Sequence, residues 1–334
     1  MNRREAILSG ALAATRLHRQ SHTEEELTLT RAPVDVFGAL LKKDAAVLFR
    51  PLDGLLGACL SSPARGVIIS TQRPLSVQRF TGAHELGHIV LHHNFSFDGE
   101  EILQRPESLG KSSEMQANAF ASEFLIPRWL PQIHGRAQGW SRESLKNPAT
   151  VYQLALRMGA SYEATCLALR RHNAVAPQTS SVLSAVQPKT IKQRLLSGYQ
   201  PDHWHRDVWL LTERDEGSII EGQPDDLFLF RLNEKSGAGY LWDITELKRR
   251  GFVIVQDSRS ITEQSEIQTT KIGGSVERII AAQSGNPAVG ELLLALRRPW
   301  QTSGETAEEL HFRYDLRGKE QGLPRALRPQ LHAA

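Results

Sequence analysis

The sequence predicts an α+β protein: a helical N-terminal half with a small β-sheet, followed by an all-β C-terminal half. Three observations carry this prediction. Residues 84–88 read His84-Glu85-Leu86-Gly87-His88, in a stretch whose apolar or small positions Phe80, Ala83, Leu86, Gly87 and Val90 recur at helical spacing. A stretch rich in Ser, Pro, Gln and Thr, from Ala174 to Thr190, separates two textures. Beyond residue 200, short apolar runs recur between turn residues, the pattern of an antiparallel sandwich.

In chain order, Arg3-Arg4 precede an apolar run, Ala6 to Ala14, that mimics a short signal peptide. Glu5 interrupts the basic region, and Arg16, His18 and Arg19 follow at once, so the run reads as an amphipathic first helix of the folded protein. Pro33 to Leu41 reads as a short helix with proline in its first turn. Ala46 to Phe49 and Gly66 to Ser70 read as strands. Thr81 is positioned to cap the His84 helix. A further helix starts near Ser113, paired with Gln116 as a capping box, and stops at Ile126-Pro127. Two more helices cover Ala149 to Met158 and Tyr162 to Arg171. Seven strands follow: Val208–Leu211, Leu227–Leu232, Tyr240–Ile244, Phe252–Gln256, Val276–Ala281, Leu292–Leu296 and Leu310–Tyr314. The expected division is a first domain over 1–175, a linker over 176–199, a sandwich over 200–318, and a disordered tail over 319–334 that carries Pro324 and Pro329.

The length of 334 residues favours two domains. A hydrophobic fraction of 40% and a charged fraction of 23% describe a soluble globular chain. The net charge of +3 neither demands nor excludes nucleic acid. No apolar run approaches the ~20 residues of a membrane span. Cys59 and Cys166 lie far apart and form no disulfide framework, which fits a reducing, cytoplasmic compartment.

His84 and His88 sit one turn apart on one helix face, where two imidazoles can bind one Zn²⁺. Glu85 beside them can act as general base toward water. A third protein ligand is required, with a fourth position left open. Downstream candidates are Asp98, Glu100, Glu101, Glu107, Glu114, Glu123 and His134. Glu114 is preferred because it starts a helix whose small residues, Ala117, Ala119 and Ala121, would let it pack closely on the first. Asn118, one turn on, could hydrogen-bond a ligand imidazole and fix its tautomer. His92 lies a further turn along, about 5 Å away, and both His92 and His93 read as solvated. Tyr152, His134 and Arg79 are candidates for stabilising an oxyanion. Cys59 reads as a small buried apolar residue; near the metal its thiolate could also fill the open position and silence the site.

Gln78-Arg79-Phe80-Thr81-Gly82-Ala83-His84-Glu85-Leu86-Gly87-His88, Glu114-Met115-Gln116-Ala117-Asn118-Ala119-Phe120-Ala121 and Phe124-Leu125-Ile126-Pro127 closely resemble the ImmA/IrrE metallo-endopeptidase family over roughly residues 20 to 172. The resemblance implies a zincin-like fold, zinc on His84, His88 and Glu114, and Glu85 as general base. It also implies a substrate class: helix-turn-helix repressors, cut to release stress, mobile-element or phage-defence genes. By analogy with defence-linked members, single-stranded DNA could be the activator.

In the second half, the segments Asn233 to Trp242, Ile272-Gly273-Gly274-Ser275 and Arg297-Arg298-Pro299-Trp300 resemble in order and spacing the three loops of chagasin-type inhibitors of papain-like cysteine peptidases, which are immunoglobulin-like sandwiches. Glu234 stands where that family has proline. The preferred use of this domain is recognition or gating; the alternative is cysteine-peptidase inhibition. A second alternative is DNA binding, because Tyr152 to Leu169 resembles a helix-turn-helix with Gly159 at the turn and Arg157, Arg170, Arg171 and His172 adding charge. A helical hairpin packed beneath the metal site is the preferred reading of that segment.

Overall fold

The computed structural model describes residues 1–60, 65–93, 97–99, 112–261, 276–301 and 306–328. Helix α1 (Arg3–Gln20) opens the chain, with Asn2 and Glu5 exchanging hydrogen bonds as a capping box. Its buried stripe of Ala6, Gly10, Ala14, Leu17 and His18 is small along most of its length. Helices α2 (Thr23–Thr30) and α3 (Val36–Leu41) follow. Asp35 accepts the Gly38 N–H, so α3 starts at that cap rather than at Pro33.

Strands β1 (Ala46–Arg50), β2 (Leu55–Leu60), β3 (Gly66–Ser70) and β4 (Phe97–Gly99) form one sheet in the order β1-β3-β2-β4. β1 and β3 are parallel, and β2 is antiparallel to both β3 and β4. Helix α4 (Leu75–Val90) packs across β2 and β3 and buries Ala83, Leu86 and Ile89. It starts behind Pro74, well before the expected cap at Thr81, whose hydroxyl instead donates to the Val77 carbonyl inside the helix. Helix α5 (Ser112–Leu125) packs against both α1 and α4. Helices α6 (Leu130–Gln138), α7 (Pro148–Arg157) and α8 (Tyr162–Arg171) complete this layer.

The stretch expected to be a linker is instead two helices, α9 (Pro177–Ala185) and α10 (Pro188–Leu196). Each proline stands at the first helical position, where its missing N–H is no loss. Leu183, Ile191 and Leu196 bury their side chains in the first core.

The C-terminal half is a sandwich of two four-stranded sheets. One is β5 (Val208–Leu211), β7 (Leu227–Glu234), β10 (Val276–Gln283) and β9 (Val253–Ile261); the other is β6 (Ile219–Glu221), β12 (Glu308–Asp315), β11 (Val289–Arg297) and β8 (Leu241–Asp243). A short helix, α11 (Thr245–Arg249), joins β8 to β9. The expectation of a purely antiparallel sandwich is corrected: β5 pairs with β7, and β6 with β12, in parallel. The three-residue strand β6 is too short for its alternation to be read in sequence.

β7 explains why its run is apolar without interruption. Leu227 and Leu229 face the N-terminal core, while Phe228, Phe230 and Leu232 fill the sandwich core with Trp209, Leu294 and Phe312. A sheet covered on both faces needs no polar alternation. Polar groups stitch the same interface. Gln153 receives the Leu210 N–H and donates to the Val208 carbonyl, Tyr152 donates to Asp207, and Arg157 pairs with Asp215 at 2.7 Å.

Residues 319–328 of the expected disordered tail are ordered against the first domain. Gly322 exchanges both backbone hydrogen bonds with Phe49 on the outer edge of β1. The Gln78 amide donates to the Glu320 carbonyl and accepts its N–H, 242 residues away in sequence. The satisfied backbone groups of Phe49, Glu320 and Gly322, with the Gln78 amide, offset the ordering that composition alone disfavours. Residues 329–334 of that tail lie outside the described residues. Among the described residues, no helix is long and apolar enough to cross a membrane.

Candidate metal centre

Helix α4 carries His84 and His88 one turn apart, both buried, with their Nε2 atoms 2.9 Å from each other. Gly87 lets α5 approach: a Cβ there would stand 3.1 Å from Phe120 Cβ and 3.2 Å from Ala117 Cα. The first turn of α5 thereby brings Glu114 Oε2 to 3.3 Å from His84 Nε2 and 3.5 Å from His88 Nε2. Ligand atoms placed tetrahedrally at about 2.0–2.1 Å from one ion stand roughly 3.4 Å apart. The nitrogen and carboxylate donors therefore fit a divalent cation such as zinc, and could hold a metal ion. Burial alone would raise the Glu114 carboxyl, but hydrogen bonds and charge from His84 and His88 outweigh it and hold it well below the usual carboxylate range.

Asn118, one turn beyond Glu114, places its Oδ1 2.9 Å from His84 Nδ1. An Nδ1–H donated to that carbonyl leaves the Nε2 lone pair for a metal. Glu85 is fully buried beside the two histidines, and its Oε1 faces β2 at Gly57.

The other sequence candidates lie elsewhere. Cys59 is buried in the first core at the β2–β3 pair, opposite Val67; among the described residues the converging group is His84, His88 and Glu114, without Cys59. Glu123 pairs with Arg171 near the far end of α5. His134 is buried at the interface of the two halves, beside Ser218 and Ile220. Tyr152 and Arg79 are engaged by Asp207 and Glu221, respectively, so neither is aimed at the metal site. The side chain of Asp98, together with Glu100, Glu101 and Glu107, lies outside the described residues, as does the segment 272–275.

The α7–α8 hairpin is packed: α7 bonds to β5 of the C-terminal half, and the end of α8 meets the end of α5. Arg157 is buried against Asp215, and Arg171 and His172 bond to the terminal carbonyls of α5 at Ser122 and Ile126. Of the four basic residues that suggested DNA binding, Arg170 alone is left facing solvent without such an assignment.

The expectation that His93 is solvated is corrected by the structure. α4 ends in a Schellman motif: His92 takes a left-handed φ of 55°, and the His93 N–H returns to the His88 carbonyl at 2.9 Å. His92 points outward as expected, but His93 folds back and sets its Nδ1 3.0 Å from His88 Nδ1. Burial, then the neighbouring His88, lowers the pKa of His93 and favours its neutral form. Continuing the helical row past Val90 hides this contact; only the reversal of the chain creates it.

Residues 42–170 match the family model described as the IrrE N-terminal-like domain, Peptidase_M78. That stretch is therefore an IrrE N-terminal-like domain by its match. All three converging donors and Glu85 fall within the matched span, whereas α1, α2 and α3 precede it. No curated protein gives a match. Among solved structures, the cysteine protease inhibitor EhICP2 of Entamoeba histolytica is similar at 20% identity, over 34% of this chain and 100% of that one, with a TM-score of 0.29. Amebosin is similar at 16% identity, over 33% of this chain and 96% of its own, with a TM-score of 0.23.

Proposed function

We propose that this chain is a zinc-dependent endopeptidase that cleaves a regulatory protein, a helix-turn-helix repressor, and thereby derepresses stress, mobile-element or phage-defence genes. The observation that supports this most is the convergence of His84, His88 and Glu114 with buried Glu85 inside an IrrE-like domain. Zinc bound there supplies a Lewis acid that polarises a scissile carbonyl and lowers the pKa of water to about 7. Glu85 takes the proton of the attacking water and returns it to the leaving amine. Asn118 holds His84 in the tautomer that presents Nε2. Co-expression with a small helix-turn-helix repressor tests the reading. Glu85→Gln should reduce cleavage by about 10²–10⁴-fold, the range of general-base catalysis, with zinc content unchanged. Equal cleavage by the variant would contradict the mechanism.

A second reading, inhibition of cysteine peptidases, is favoured by one feature of the sandwich. Trp300 is 67% exposed and stacks over Gly239, while Arg298 lies over the Tyr240 ring. Papain activity measured with and without the purified chain separates the two readings: no inhibition at micromolar protein would remove the second.

A further inference from the structure

Resting on the metal reading above, we propose that His93, Gln116 and Ser9 form a positioning relay that fixes the tautomer of His88, so that helix α1, outside the IrrE-like domain, tunes metal affinity. The direction of every link follows from chemistry. If His88 offers its Nε2 lone pair, its neutral ring carries the proton on Nδ1. That proton faces His93 Nδ1 at 3.0 Å, which must therefore accept. A neutral His93 accepting at Nδ1 carries its proton on Nε2, 3.1 Å from Gln116 Oε1. The Gln116 carbonyl oxygen accepts, and its amide nitrogen donates to Ser9 Oγ at 3.0 Å. Reversing the first link would place a proton on His88 Nε2, where the metal must bind.

The backbone supports the relay at both ends. The Schellman turn at Leu91–His93 fixes His93 over His88. At the far end, Gly10 brings α1 against the Gln116 backbone: a Cβ at residue 10 would stand 2.1 Å from the Gln116 carbonyl oxygen. Neither helix can give way locally at such a backbone contact, so Ser9 reaches Gln116 because residue 10 is glycine. The two metal-facing histidines are thus held from one helix, His84 directly by Asn118 and His88 through His93 by Gln116.

The test is zinc affinity of the full-length protein, read by competition with a chromophoric chelator, and the absorption spectrum of the Co²⁺-loaded protein. His93→Ala should weaken zinc binding by about 10–100-fold, the usual effect of losing a hydrogen-bond partner of a ligand histidine. His93→Asn, whose Oδ1 stands near the position of Nδ1 and can accept, should restore most of the affinity. Gly10→Ala and Gln116→Ala should each weaken binding less than His93→Ala, and all of these variants should shift the Co²⁺ spectrum. His92→Gly should bind as wild type does. Wild-type affinity in His93→Ala, or equal loss in His93→Asn and His93→Ala, would overturn the relay. If His93→Ala does not fold, Gly10→Ala and Gln116→Ala decide: wild-type affinity in both overturns the relay equally. Glu114→Ala separates the relay from the metal site, because zinc binding that survives it refutes the metal site itself.

Discussion

Two buried clusters of ionisable side chains sit in the two halves of this molecule, and they are built oppositely. In the first half, His84, His88 and Glu114 turn three donor atoms toward one point, 2.9 to 3.5 Å from each other. In the sandwich, Glu234 is fully buried but enclosed: it accepts from the Trp242 N–H, from Arg259 Nε at 2.6 Å and from Arg278 Nη1 at 3.2 Å. Arg278 also forks onto Asp257 and donates to the Trp242 carbonyl. Two acids and two guanidinium groups close that network. His84, His88 and Glu114 instead form a group that could hold a metal ion. The contrast is between donors turned toward one point and charges that satisfy one another, although each cluster contains a carboxylate.

The comparison can be broken at either end. The largest effect is expected at the metal centre, where Glu114→Ala should lower zinc affinity by more than the roughly 100-fold upper range seen for outer hydrogen-bond partners, as measured by chelator competition. Glu234→Ala should do the reverse. It leaves Arg278 with Asp257 as its remaining carboxylate and the buried Trp242 N–H without its acceptor, and should cost about 3 kcal/mol in denaturant unfolding, while zinc affinity stays unchanged. A variant that lost both properties together would show that the two halves fold as one unit.

A smaller effect is expected at the seam. Gln78→Ala removes two hydrogen bonds to Glu320 and should cost about 1–3 kcal/mol, read as a lower melting temperature; truncation after residue 318 should not add to it at that contact. The gentlest probe is mild acid. Burial lowers His18 from 6.5 to about 4, partly offset by its bond to the Phe124 carbonyl, and lowers His134 to about 3, with Arg157 and Arg31 adding to the shift. Below pH 6.5 the unfolded chain protonates these two rings while the folded chain does not. Stability should therefore be flat in these groups above pH 6.5 and fall as pH drops toward 4. His18→Gln should flatten part of that slope, and a slope unchanged by this substitution would remove His18 as a contributor.

Much of the site was legible in the residues. The helical spacing of His84 and His88 puts both on one face whatever surrounds them. The strands of the sandwich announced themselves by apolar runs between turn residues, with the three-residue β6 lost below that signal. Pro177 and Pro188 misled because proline at a helix start and proline in a linker look alike in composition. Their meaning depends on whether Leu183, Ile191 and Leu196 find a core. The tail from Lys319 misled for the same reason, since its order depends on Gln78 and Phe49.

The sequence by itself determined what local periodicity and donor chemistry can determine: a metal-competent histidine pair with an adjacent carboxylate on one helix, and an all-β second half. Only the tertiary structure decided that Glu114 completes the donor set, that His93 rather than His92 reaches His88, that Cys59 stays in the core, and that Glu234 serves packing. Each of these depends on the close approach of separate elements or on a chain reversal. Such contacts are set by surface complementarity and backbone turns, which leave no periodic trace in the chain.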